Sequence, residues 1–194
     1  MGSAPRSRLD DQGWHIGVCI FSGPAASPSR RHDTLCRSLA VLSRQCGRGG
    51  YYHNGPVFSA GSRYRPADWM EEGTSTAPGG VLCDATIVHG GYVEAVAAEN
   101  RKVAHYAPQM ARHEGLAFLP FAISADGAVG PGAARCMASW TAALAALRLE
   151  RGYPVGSPWA DVATSVARAF ADALAAQLEA WLQPRPGLAR RFRG

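Results

Sequence analysis

The 194 residues are 47% hydrophobic and 18% charged, a composition that builds one buried core and excludes a disordered chain. No apolar run approaches the ~18–20 residues of a membrane span, and the polar stretch Met1 to Asp11 lacks the apolar centre of a secretory leader. The net charge of +5 permits a nucleic-acid partner without demanding one, and the five scattered cysteines fit reduced, buried thiols of an intracellular protein better than a disulfide framework.

Residues 1–31 read as irregular, with a short strand at Ile16 to Phe21 and breaks at Gly23-Pro24 and Ser27-Pro28. From His32 to about Cys46 the leucines Leu35, Leu39 and Leu42 recur at helical spacing, and Gly47 is a stop. Residues 47–66 are rich in Gly, Tyr and Pro, with strands expected around Tyr51-Tyr52 and Val57-Phe58, and 71–80 read as a loop. Val81 to Val88 is a β-branched apolar run bounded by glycines, the mark of a buried strand. A helix follows from Tyr92 to about Arg112, with Val93, Val96, Ala97 and Val103 as its apolar face and Pro108 set to kink or shorten it. Leu116 to Ser124 reads as a second strand, ended by Asp126-Gly127, and Ala133 to about Arg151 as an Ala-rich helix. Ser157-Pro158 opens the last helix, with serine as N-cap and proline in the first turn. Its stripe is Val162, Val166, Phe170, Leu174, Leu178 and Trp181. The expected fold is α/β: a three-layer-like sandwich with a small mixed sheet flanked by helices, plus C-terminal helices. One domain, 32–183, is then preceded by an irregular segment, 1–31, and followed by an arginine-rich tail, 184–194, with Arg185, Arg190, Arg191 and Arg193.

Of the 20 basic residues only Lys102 is lysine, so a bias toward arginine has replaced lysine everywhere else. The survivor marks a position where a compact ammonium is needed, or a chance remnant. Asp84 lies inside the apolar strand, where an aspartate is costly unless it is hydrogen-bonded or holds a cation. Asp68 follows Arg65-Pro66-Ala67, a hairpin's length before Asp84, and Lys102 lies on the next helix. Two carboxylates and a lysine on adjacent elements are the parts of a metal-dependent phosphodiesterase. The same residues also suit a strand-edge aspartate capping a turn, an exposed aspartate after proline and a solvated lysine. Glu99, one turn before Lys102, is a surface pair with it or approaches the metal. Tyr51, Tyr52 and Tyr64 among Arg48, Arg63 and Arg65 suit base stacking, though sheet packing is the simpler reading. The arginine tail grips phosphates or is a solubilising end.

Several blocks together resemble the restriction-enzyme-like endonuclease domain, of PD-(D/E)XK type, found in site-specific non-LTR retrotransposons. Gly13-Trp14-His15-Ile16-Gly17-Val18-Cys19 resembles the second half of that family's zinc knuckle, and Arg31-His32-Asp33 the opening of its first helix. Arg65-Pro66-Ala67-Asp68 and Asp84-Ala85-Thr86-Ile87-Val88-His89 resemble its two acidic motifs. Arg101-Lys102 with Tyr106 resembles its Lys-x3-Tyr helix, and Phe118-Leu119-Pro120-Phe121 with Gly127 its next strand. The resemblance implies a restriction-endonuclease-like fold and a Mg²⁺- or Mn²⁺-dependent nuclease that nicks DNA for reverse transcription. It implies Asp68 and Asp84 as metal ligands, Lys102 at the attacking water, and His32, Arg31, Arg65, Arg101, Arg190 and Arg191 on DNA. The implied partners are DNA and a reverse-transcriptase region of the same element, without a membrane or a small-molecule cofactor, in the nucleus.

The sequence also departs from that pattern. No cysteine precedes Cys19, so His15 and Cys19 are a vestigial pair, and zinc is not expected unless Cys36 or Cys46 substitutes. Residues 34–67 contain no acid where the family carries a glutamate, leaving Asp33 as the nearby substitute, and His105 stands where a second lysine is common. The alternative is therefore a catalytically degenerate nucleic-acid-binding module of the same fold.

Overall fold

The computed structural model describes residues 28–52 and 67–182. They form helix α1 (Pro28–Gln45), strands β1 (Tyr51–Tyr52), β2 (Trp69–Glu71) and β3 (Gly80–Val88), helix α2 (Tyr92–Met110), strand β4 (Leu116–Ser124), and helices α3 (Pro131–Glu150) and α4 (Pro158–Leu182). The sheet order is β1-β2-β3-β4. β1, β2 and β3 pair antiparallel, and β4 lies parallel to β3 from Gly80↔Leu116 to Val88↔Ser124. A parallel neighbour needs a crossover, and α2 supplies it.

Strand alternation sorts the sheet residues between two layers of helices. Cys83, Ala85, Phe121 and Ile123 join Leu35 and Leu39 of α1, Met137 and Trp140 of α3, and Val162 and Phe170 of α4 in the large core. At its centre Trp69 meets Phe121 at 5.8 Å and Trp140 at 6.4 Å between ring centroids. On the other face Ala122 packs under Ala95 and Ala98 of α2. The α/β sandwich with a mixed sheet and helices on both faces is thus present. Among the described residues no helix is long and apolar enough to cross a membrane. Cys36, Cys46, Cys83 and Cys136 are free and buried.

Several expectations change. β2 falls on residues with no apolar run long enough to announce it; pairing on both sides and a buried Trp69 make it a strand. The α2 face is also different. Val93 and Val103 are exposed, at 73% and 45%, whereas Ala95, Ala98 and Glu99 are buried. Small residues let the helix lie close on the sheet, and the valines, longer than that gap allows, turn outward. Pro108 sits in the last turn, and the helix ends at Met110. The strand expected near Val57-Phe58, the segment 1–27 and the tail lie outside the described residues.

Glu99 is neither a surface partner of Lys102 nor a site carboxylate. It is 2% exposed and accepts hydrogen bonds from the backbone N–H groups of Ala122 (3.1 Å), Gly132 (2.6 Å) and Ala133 (3.0 Å). α3 begins after Gly130, which has no capping side chain, so Glu99 caps α3 from another helix and ties α2 to β4. Gly132 is needed there, because a Cβ would run into the Pro120 carbonyl and the Glu99 carboxylate. Glu99→Ala leaves three buried donors unmet and should cost roughly 3–5 kcal/mol in urea unfolding, whereas exposed Glu94→Ala should cost less than about 1 kcal/mol.

Candidate functional site

The β2–β3 register brings the two predicted aspartates together. Trp69 pairs with Cys83, and one residue earlier the Asp68 N–H donates to the Cys83 carbonyl at 2.8 Å, so Asp68 stands across from Asp84. Cys83 points into the large core, and Asp84 therefore emerges on the α2 side. There the Lys102 ammonium, on the inner side of α2, lies 2.6 Å from Asp84 Oδ1. The two carboxyl groups are close enough to hydrogen-bond when one carries a proton.

α1 closes the other side. His32 Nε2, on its first turn, is 3.1 Å from Asp68 Oδ2 and 3.2 Å from the Ala85 carbonyl. The Ala85 N–H donates to the same Asp68 oxygen at 2.7 Å. One turn further along, Cys36 Sγ is 3.6 Å from both His32 ring nitrogens.

The charges in this pocket do not balance. Asp84 is 5% exposed; burial pushes its carboxyl up to about 7, with Lys102 opposing and Asp68 adding to the rise. Burial is the largest influence on Asp68 and works against its ionised form, but the hydrogen bond and charge of His32, with the bonds from Asp84 and the Ala85 N–H, together hold it below the usual carboxylate range. His32 is raised in turn, chiefly by the hydrogen bond to Asp68. The negative field reaches Tyr106, whose phenol burial pushes up to about 12 with help from Asp84 and then Asp68. Tyr106 packs against Phe118, ring centroids 5.1 Å apart, one turn beyond Lys102. A buried carboxylate pair facing one lysine calls for a further positive charge: a proton on Asp84, a protonated His32, or a cation.

Asp68, Asp84 and Lys102 thus converge. His32 joins them with its side chain 35% exposed, and Arg101 and His105 are exposed on α2. Arg31 is partly buried beside His32 at the start of α1. Arg48 is turned to Glu71 at 3.4 Å, which removes it from a stacking surface. Tyr52 packs as a sheet residue, donating to Asp33 at 3.4 Å under the Arg37 guanidinium. His15, Cys19, Arg63, Tyr64, Arg65, Arg185, Arg190, Arg191 and Arg193 lie outside the described residues.

Among the described residues, two groupings of His, Cys and carboxylate side chains could hold a metal ion: His32, Cys36 and Asp68, and Glu71, Cys83 and Cys136. In the second, Glu71 already accepts from Ser43 (2.9 Å), Trp140 (2.5 Å), Trp69 (3.5 Å) and Arg48 (3.4 Å), which makes it a satisfied structural hub. Sequence reasoning misses that hub, and it names Cys36 only as a substitute zinc ligand, not as a neighbour of Asp68. The available signal for Cys36 is its spacing from His32, four residues on one helix face. No protein-family model matches the chain, and no curated protein matches it.

The buried carboxylate has a consequence for stability without metal. Asp84 binds its proton more tightly folded than unfolded, so its contribution is present at low pH and lost as pH rises from about 4 through about 7. In EDTA, parent stability should fall relative to Asp84→Asn by about 1 kcal/mol per pH unit across that window and level off above it, as read from urea midpoints.

Proposed function

We propose that this chain is a divalent-cation-dependent DNA endonuclease domain of the restriction-endonuclease-like class, derived from a non-LTR retrotransposon and acting in the nucleus. The single observation that carries the reading is the convergence of Asp68 and Asp84 on one side of the sheet, with the only lysine 2.6 Å from Asp84. The reading is supported by the order of helix, three antiparallel strands, crossover helix and parallel fourth strand, with Asp84 on β3 and Lys102 on α2.

The donor set fits Mg²⁺ or Mn²⁺: carboxylate oxygens with the Ala85 carbonyl beside them are hard ligands. Asp68 and Asp84 would hold the cation, which supplies polarisation of the phosphoryl oxygen and acidification of a water. The Ala85 N–H fixes the Asp68 carboxylate in direction. Lys102 keeps Asp84 directed and offers its remaining N–H bonds to the attacking water or a phosphoryl oxygen. Arg101, on the exposed side of the same helix, is placed to meet the DNA backbone.

A nicking assay on supercoiled plasmid tests this. Cleavage should require Mg²⁺ or Mn²⁺ and stop in EDTA. Asp84→Asn should abolish it while DNA affinity stays level or rises, since one negative charge near phosphate is gone. Plasmid binding without any cation-dependent nicking would instead support the non-catalytic binding module.

Lys102 is tested separately. Its ammonium occupies a compact seat, 24% exposed, against a buried carboxylate. The guanidinium is larger and planar and does not exchange a proton near neutral pH. Lys102→Arg should therefore lower the nicking rate at least about 100-fold, close to Lys102→Ala, with DNA binding little changed. Parental nicking by Lys102→Arg would remove the lysine from the chemistry.

A further inference from the structure

We propose that His32, Cys36 and Asp68 form a second, softer metal site, selective for Zn²⁺, which shares Asp68 with the carboxylate pair. The observation is geometric. A tetrahedral zinc with one nitrogen, one sulfur and one oxygen ligand has ligand-to-ligand edges of about 3.3 Å for N···O and about 3.6 Å for S···N. His32 Nε2 lies 3.1 Å from Asp68 Oδ2 and 3.6 Å from Cys36 Sγ. All three ligand atoms fall within 4.8 Å of one another. Cys36 Sγ is equally far, 3.6 Å, from His32 Nδ1, so the three ligands are gathered and a turn of the His32 ring brings Nε2 to face the sulfur.

The surroundings fit as well. His32 and Cys36 are four residues apart on α1, so one helix face holds both, and Asp68 is supplied by the start of β2. Cys36 is fully buried and forms the floor, while the side chains of His32 and Asp68, 35% and 19% exposed, form an open mouth. A zinc-bound histidine usually donates its other ring N–H to a carboxylate. His32 Nδ1 faces Asp33 Oδ1 at 3.8 Å, and Asp33 is itself held by the Tyr52 hydroxyl at 3.4 Å. The Ala85 N–H donates to that same Asp68 Oδ2 at 2.7 Å and fixes its position. Binding releases the Cys36 thiol proton to solvent and leaves a fourth position for water. Nitrogen and sulfur donors favour Zn²⁺ over Mg²⁺, so the two sites differ in preference though they share one carboxylate.

The zinc site itself needs only this cluster; its effect on cleavage rests on the endonuclease reading. Occupancy by Zn²⁺ takes Asp68 away from the Mg²⁺ position and should inhibit nicking. Binding is read without DNA, by titrating the metal-free full chain with Co²⁺. One equivalent should give tetrahedral visible bands and a near-ultraviolet sulfur-to-cobalt band, which Zn²⁺ bleaches and excess Mg²⁺ leaves. Cys36→Ala should remove the sulfur band, and His32→Ala should weaken Co²⁺ binding at least tenfold. Cys19→Ala and Cys136→Ala should change neither. The sulfur band surviving in Cys36→Ala, or parental affinity in His32→Ala, overturns the site; so does loss of the band in Cys19→Ala or Cys136→Ala. His32 lies at the pocket mouth, which keeps its variant informative even where Cys36→Ala fails to fold. Co²⁺ binding without Mg²⁺-dependent nicking sinks the endonuclease reading alone. Nicking that persists under Zn²⁺, with no sulfur band, sinks the zinc site alone.

Discussion

An aspartate carboxylate buried in the middle of a strand, with a second carboxylate opposite it, is the constraint around which the molecule is arranged. Asp84 and Asp68 cannot both be charged in that pocket without help. The help comes from three directions: Lys102 from α2, His32 from α1, and the Ala85 N–H from β3 itself. Each of these elements must hold its position to within a hydrogen bond's tolerance, so the packing of both helical layers is tied to the electrostatics of one pair of side chains.

α2 shows how this is done. Glu99, Lys102 and Tyr106 lie at helical spacing along one side of it. Glu99 fastens that side to β4 and to the first turn of α3 through three backbone donors. Tyr106 lays its ring on Phe118 of β4. Lys102, held between them, is aimed at Asp84 by contacts on both sides. Opposite, the large core pins α1 through Leu35, Cys36 and Leu39, all fully buried, and so fixes the turn that carries His32. The site is therefore suspended between two cores, one rich in aromatic residues and one built from alanines.

Much of this arrangement is legible in the amino-acid order alone. β3 and β4 announce themselves as apolar runs of strand length, β3 between glycines, and the last helix through its Ser157-Pro158 start. Asp84 stands out because a charge does not belong in such a run, and Lys102 because it is alone of its kind. What stays hidden is set by pairing and by close approach. Three residues, Trp69 to Glu71, become a strand only because neighbours hydrogen-bond them on both sides. The inward face of α2 is alanine and glutamate, so hydrophobic periodicity points to the valines instead. Glu99 looks like half of a surface pair because a carboxylate's backbone partners, twenty and more residues away, leave no trace in local spacing.

The two functional readings differ in what they make of the charge at Asp84. A protein that only folded, or only held DNA through arginines, would gain by losing it: asparagine fills nearly the same volume and needs no counter-charge. The chain instead keeps the carboxylate: a lysine at contact distance favours its charge, while burial and a second aspartate, fixed by the Ala85 N–H, oppose it. Such an arrangement costs stability in the metal-free state, and a bound cation would return it, because two carboxylates that repel each other are what a divalent ion binds best. In such an arrangement cation binding and folding stability would be coupled.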